Sequence, residues 1–106
     1  MGPSLQALED QYMLLTQNLS MILAACPTQT ERDQVRTQYV TARRNYWNSI
    51  QKVFHDDDPQ IVGLVQEMQT EQKKIQDATN HLNNISRVID IITQAVSVGT
   101  TLASAF

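Results

Sequence analysis

The sequence predicts an all-α protein built from antiparallel helical hairpins, and two observations carry this prediction. Apolar residues recur at three- and four-residue steps along most of the chain, the spacing of one helix face. The only prolines are Pro3, Pro27 and Pro59, so few positions can interrupt a helix. We therefore expect a single helical domain over residues 1–106, with helices at about 4–25, 29–54 and 59–104.

The first predicted helix has a start signal, an apolar face and a stop signal. Ser4 follows Pro3 and is a suitable N-cap, because its hydroxyl can accept a hydrogen bond from a free backbone N–H group. The helix ends before Pro27, whose ring disfavours helical geometry at the preceding residue. Its apolar positions alternate in the way that coiled-coil positions do: Leu5, Leu8, Tyr12, Leu15, Leu19 and Ile22.

The second predicted helix begins directly after Pro27. Thr28 and Glu31 have the spacing of a capping box, in which side chains satisfy the first backbone N–H groups. The apolar residues of this segment form a broad face: Val35, Tyr39, Val40, Ala42, Tyr46, Trp47, Ile50, Val53 and Phe54. Arg36 and Arg43 fall inside this apolar arc, which a purely solvent-facing charge pattern would not produce.

The remaining segment predicts one very long helix. Asp57 or Asp58 can cap it, and Pro59 suits a first helical position because its missing N–H group is not needed there. From Ile61 to Phe106 a single apolar phase continues without Gly or Pro between residues 80 and 84. The sequence therefore favours a three-helix arrangement with a helix of about 45 residues, roughly 65 to 70 Å long. The alternative is a four-helix bundle with a break near residues 80–84.

In the favoured arrangement the C-terminal residues 85–106 extend beyond the second helix and form an apolar overhang. Leaving large apolar side chains in water would forgo about 1.5 to 3 kcal/mol of burial for each of them. We therefore expect this segment to bind a second copy of the chain or another helical protein. The expected interface consists of Ile85, Val88, Ile89, Ile92, Val96, Gly99, Ala103 and Phe106.

Two further predictions concern individual side chains, an ion pair across the hairpin and an exposed aromatic residue. Glu71 occupies an apolar position of the long helix, and a turn centred on Asp57 places Arg43 opposite it. We expect a structural Arg43–Glu71 ion pair, with Arg36 as the substitute if the register differs by one heptad. Trp47 lies at the edge of the second helix's apolar face and is expected to be half exposed, as a secondary recognition patch.

No residue pattern predicts catalysis, a cofactor or a metal site. The consecutive acids of His55–Asp58 lack the alternating ligands and glycine of a calcium loop, and fit a helix cap better. His81 has only Asp77 as a neighbour of catalytic type, and Cys26 has no sequence partner for catalysis or a disulfide. We expect a protein that is not an enzyme and that carries no metal and no cofactor.

The sequence favours a non-enzymatic protein–protein interaction module of the adaptor, secretion-chaperone, immunity or filament-subunit type. The alternative is a membrane-active protein that inserts residues 91–106 as pore-forming helical toxins do, although this segment is short and polar for a membrane span. The net charge of −3, with dispersed basic residues, argues against nucleic-acid binding. A single cysteine and the lack of a basic, apolar leader favour a cytoplasmic location.

Overall fold

A computed structural model describes residues 2–105 of the chain, and within this range the protein forms four α-helices. They are α1 (Pro3–Ala25), α2 (Gln29–Ser49), α3 (Pro59–Ala78) and α4 (Ile85–Ala103). The prediction of an all-α chain is confirmed. The favoured three-helix arrangement with one very long C-terminal helix is wrong, and the alternative four-helix bundle fits the structure.

Side-chain caps define several helix starts. The Thr28 hydroxyl accepts a hydrogen bond from the Glu31 backbone N–H at 3.2 Å, and the Asp58 carboxylate accepts one from the Gln60 N–H at 2.8 Å. The prediction that Ser4 caps α1 is wrong, because α1 begins at Pro3 and its N-cap position is Gly2, two residues before Ser4. The Ser4 backbone N–H and hydroxyl both donate to Asp56, which fastens the α2–α3 connection to the start of α1.

The predicted long helix is interrupted between α3 and α4. Backbone N–H groups of Asn80 and His81 form turn-type hydrogen bonds to the Asp77 and Ala78 carbonyls, and Asn84 caps α4 by accepting from the Arg87 N–H. Asparagine side chains compete with helical backbone hydrogen bonding and favour caps and turns. The turn also has a tertiary cause, because it folds α4 back onto α3 and so buries the apolar face of α4.

The helices pack as a bundle of 42 × 22 × 18 Å in which α1 and α4 are central. Each of these two helices contacts the other three, whereas α2 and α3 do not contact each other. The prediction that the second helix packs along the third in a hairpin is therefore wrong. In the structure α2 packs against α1 and α4 instead.

The core consists of two apolar clusters, one toward each end of the bundle. The first lies around the end of α1 and the start of α4: Leu15, Ile22, Cys26, Val35, Ala42, Ile75, Ile85, Val88, Ile89, Ile92, Ala95 and Val96. The second lies around the start of α1 and the end of α4: Ala7, Leu8, Ile61, Val65, Met68, Val98, Leu102 and Ala103. Buried Gln11 lies between the two clusters.

Candidate protein interface

The C-terminal segment predicted as an overhang is part of the core. Its residues from Ile85 to Ala103 that were expected at an interface are buried by the other helices of the same chain: Ile85, Val88, Ile89, Ile92, Val96, Gly99 and Ala103. Phe106 lies outside the described residues. The expected interface was inferred from the absence of an intramolecular partner, and α1, α2 and α3 together provide that partner. Because this face of α4 is buried within the chain, it is not free to bind a second copy.

The structure also places Arg43 and Glu71 apart. Glu71 is only 6% exposed, and its carboxylate accepts a hydrogen bond from the Lys74 ammonium, one helical turn later, at 3.1 Å. Arg43 lies on the exposed face of α2, and α2 does not contact α3. The predicted Arg43–Glu71 pair is thus replaced by a Glu71–Lys74 pair, because the facing helices were assigned incorrectly.

Exposed apolar side chains occur on the outer face of α2. Trp47 is 54% exposed and Val40 is 47% exposed, and they are two turns apart on one line of the helix. Arg36, Arg43 and Arg44 flank this line and are also exposed. We call these five residues the α2 stripe: Arg36, Val40, Arg43, Arg44 and Trp47.

The inner face of α2 explains why this stripe points outward. Val35, Ala42, Asn45 and Ser49 are the buried residues of α2, and all four are small or medium in size. Small side chains let α2 approach α1 and α4 closely. At 3.6 residues per turn, the line through Val40 and Trp47 then lies on the opposite side of the helix. On that side the surface has only a shallow, open depression of about 400 Å³, bordered by side chains of α2 alone: Asp33, Arg36, Thr37, Val40, Thr41 and Arg44.

Three arginines and one aspartate are exposed on this face of α2: Arg36, Arg43, Arg44 and Asp33. Between residues 34 and 54 there are four basic residues, Arg36, Arg43, Arg44 and Lys52, and no acidic residue. Lys52 donates to the backbone carbonyl of Ala103 and is thereby engaged within the fold. The ion pairs found between residues 2 and 105 are Arg36–Asp33, at 3.8 Å, and Lys74–Glu71. Arg43 and Arg44 take part in neither.

A row of aromatic rings supports Trp47 from the bundle side. The Tyr46 ring lies 5.6 Å from the Trp47 ring and 5.9 Å from Tyr12, and Tyr12 lies 5.9 Å from Tyr39. The Tyr46 hydroxyl donates to the Glu9 carboxylate at 2.7 Å, and this hydrogen bond raises the pKa of Tyr46. The Trp47 ring thus packs against Tyr46, which is itself bonded to Glu9 of α1. This packing limits the side-chain entropy that Trp47 loses when a partner covers the indole.

Residues with catalytic or metal-binding potential occur at several separate places in the fold, among them the consecutive residues His55–Asp58. Across residues 2–105, no group of three or more His, Cys, Asp or Glu side chains is arranged to hold a metal ion. Asp56 and Asp58 have structural roles as described, and burial raises the pKa of the Cys26 thiol. His81 lines an open groove of about 640 Å³ with Lys74, Asp77 and Arg87.

The membrane alternative concerned residues 91–106. Most of the described part of this segment belongs to α4, whose apolar face packs against the other helices. Among residues 2–105, none of the helices has the length and apolar character that a membrane crossing requires.

No protein-family model, no curated protein and no solved structure matches this chain.

Proposed function

We propose that this protein is a non-enzymatic protein–protein interaction module and that the α2 stripe binds a helix of another protein. One observation carries the proposal: Val40 and Trp47 are half exposed on the same outer line of α2. They are seven residues apart, the repeat at which one helix presents apolar side chains to another. Tryptophan and arginine are the residue types that most often dominate binding energy at protein interfaces.

The α2 stripe also has the mixed character of a reversible interface. Two apolar side chains lie along the middle, with Asp33 seven residues before Val40 on the same line, and exposed arginines lie at the edges as in a polar interface rim. Helix-in-groove recognition needs only an apolar line with anchors one or two turns apart, which this face provides. The buried α4 in turn gives the stripe a rigid support, because α2 packs along it.

A second copy is a poor partner for this surface. Two α2 stripes facing each other would bring together six guanidinium groups and only two Asp33 carboxylates, and like charges brought together in an interface cost several kcal/mol. The proposal therefore assigns the α2 stripe to a different protein, of the kind that an adaptor or chaperone binds.

The proposal is tested by selecting helical peptides from a randomised display library against the purified protein. Two variants then classify the selected peptides. Val40→Ser with Trp47→Ser removes the apolar line, while Met13→Ser with Val62→Ser removes two apolar side chains of similar exposure on α1 and α3. The expected peptides bind the wild type and the Met13/Val62 variant but not the Val40/Trp47 variant. Peptides that bind all three proteins equally would contradict the proposal.

A further inference from the structure

We infer that the partner segment is an acidic amphipathic helix, whose carboxylates pair with the arginines of the α2 stripe. This inference rests on the proposed function and names the chemistry of its partner. The chain as a whole carries a net charge of −3, yet residues 34–54 contain four basic and no acidic residues. Three of these basic residues, Arg36, Arg43 and Arg44, lie on the face that exposes Val40 and Trp47. Asp33 is exposed there too, so these four charged residues have a net charge of +2.

The positions of the arginines define where the partner's acids must lie. Arg36 and Arg43 follow one edge of the line through Val40 and Trp47, and Arg44 follows the other edge. Val40 and Trp47 are about 10 Å apart along the helix axis, at 1.5 Å per residue. A partner helix with apolar residues seven apart and acidic residues on both sides of them matches this arrangement.

The arginines of the α2 stripe have few ion pairs within the chain, which leaves their guanidinium groups able to bind a partner's carboxylates. Arg36 has only a 3.8 Å contact with Asp33, in which both side chains are more than half exposed. Arg43 and Arg44 have no carboxylate partner in residues 2–105. Guanidinium groups bind carboxylates through paired hydrogen bonds, which gain strength where an interface excludes water. The aliphatic stems of the same arginines can cover the partner's apolar residues.

A membrane surface fits these observations less well than a helix. Val40 and Trp47 form a narrow line, whereas helices that lie in a bilayer surface bury a broad apolar face. The inner face of α2 is already occupied by α1 and α4.

The experiment uses three synthetic peptides of one design, each with leucines at heptad spacing and a fluorescent label. The residues flanking the leucines are glutamate in the first peptide, glutamine in the second and lysine in the third. Binding to the full-length protein is measured by fluorescence anisotropy at low and high salt. We expect the glutamate peptide to bind at least about tenfold more tightly than the lysine peptide, with a preference that weakens as salt rises.

Charge-reversal variants make the test specific to the α2 stripe. Arg36→Glu with Arg44→Glu should exchange the preference, so that the lysine peptide binds more tightly than the glutamate peptide. The matched control is Lys73→Glu with Arg87→Glu, which changes the net charge equally but alters exposed residues of α3 and α4. This control should keep the preference of the wild type. Circular dichroism melting curves verify that each variant is folded.

The possible results separate the inference from the proposed function. Equal binding of all three peptides, lost in the Val40→Ser with Trp47→Ser variant, would overturn the acidic partner and leave the α2 stripe as an interface. Absence of binding by every peptide would count against both. Binding to vesicles of anionic lipid that exceeds binding to the glutamate peptide, and that is lost on reversal of Arg36 and Arg44, would assign the surface to a membrane and overturn the inference.

Discussion

The side-chain amide of Gln11 donates a hydrogen bond to the backbone carbonyl of Ala95 at 2.8 Å, joining α1 to α4 across 84 residues of sequence. Gln11 is only 1% exposed and lies between the two apolar clusters. Its second polar atom, Oε1, has no hydrogen-bond partner within the described residues. The glutamine thus fixes the position of α1 along α4 while leaving one buried acceptor unsatisfied.

Replacing Gln11 with leucine is expected to stabilise the protein. An unsatisfied buried polar atom costs about 1 to 3 kcal/mol, whereas a hydrogen bond contributes only about 0.5 to 1.5 kcal/mol net. We therefore expect Gln11→Leu to raise the free energy of unfolding by about 1 kcal/mol, measured by urea denaturation. A clear loss of stability would show that the hydrogen bond to Ala95 outweighs the unsatisfied oxygen.

The effect of Gly99→Ala should depend on the residue at position 11. A Cβ atom on Gly99 would lie 2.6 Å from Gln11 Oε1, closer than atoms in contact can be. Alanine is favoured over glycine inside a helix by about 1 kcal/mol, so the substitution would otherwise be stabilising. We expect Gly99→Ala to destabilise the wild type and to stabilise the Gln11→Leu variant. A double-mutant cycle measures this coupling, and additive effects would contradict it.

The sequence predicted the elements that local signals define. Pro27 with Thr28, and Asp58 with Pro59, mark the ends and starts of helices through capping and backbone geometry, and the structure has breaks at both places. The break at residues 79–84 lacks glycine and proline, and its local signal was weaker: Asn80, Asn83 and Asn84, of which Asn84 caps α4. It depends on the burial of α4 against three other helices, which is a property of the whole fold.

That error contributed to two of the other incorrect predictions, whereas the cap at Ser4 and the face of Val40 were separate errors. An unbroken helix left residues 85–106 without a partner and placed the second helix along the third, which produced both the expected interface and the Arg43–Glu71 pair. Val40 was assigned to the apolar face of the second helix, but the structure exposes it beside Arg36 and Arg44. Residue size could have identified the buried face of the second helix, because the small residues Ala42 and Ser49 are buried there and the larger Val40 is exposed. Trp47 was expected to be half exposed, and it is 54% exposed.

The pairing of Glu71 with Lys74 rather than Arg43 gives a third prediction. Removing Lys74 leaves a buried carboxylate without its cation, whereas Arg43 has no contact with Glu71 that could be lost. We expect Lys74→Ala to lower the free energy of unfolding by roughly 0.5 to 1 kcal/mol, a modest value because the lysine side chain is more than half exposed. Arg43→Ala should be neutral. In the Glu71→Gln background the cost of Lys74→Ala should shrink, and a cost of the same size in both backgrounds would exclude the pair.

The thiol of Cys26 should be unreactive until the protein unfolds. It is buried and donates a hydrogen bond to the Ile22 carbonyl at 3.3 Å, and burial, followed by the charge of Glu31, raises its pKa. Because the folded pKa is raised, the stabilisation is complete below the ordinary thiol pKa and is lost as pH increases through the folded value. We expect alkylation by iodoacetamide to follow global unfolding in urea. Stability should fall less steeply above about pH 8.5 in Cys26→Ala than in the wild type. Rapid alkylation of the native protein would contradict the burial of this thiol.

Two tyrosines of the aromatic row should respond to alkaline pH in opposite directions. The hydrogen bond to Glu9, together with burial and the charge of Glu9, raises the pKa of Tyr46. Hydrogen bonding with Thr16 and Tyr12 lowers the pKa of Tyr39, with a smaller contribution from Arg43. The stabilisation from Tyr46 is therefore present below the ordinary tyrosine pKa of about 10 and lost as pH rises through the folded value. The stabilisation from the Tyr39 phenolate is present above about pH 10 and lost as pH falls through the folded value.

We expect the stability difference between the wild type and Tyr46→Phe to shrink between about pH 9 and 11, while the difference for Tyr39→Phe grows. Urea denaturation across this range measures both differences, and each variant serves as the control for the other because both remove one hydroxyl from the same row. Parallel changes in the two variants would show that the Glu9 hydrogen bond does not set the ionisation of Tyr46. They would also count against a Tyr46 ring that is held in place by Glu9 and supports Trp47.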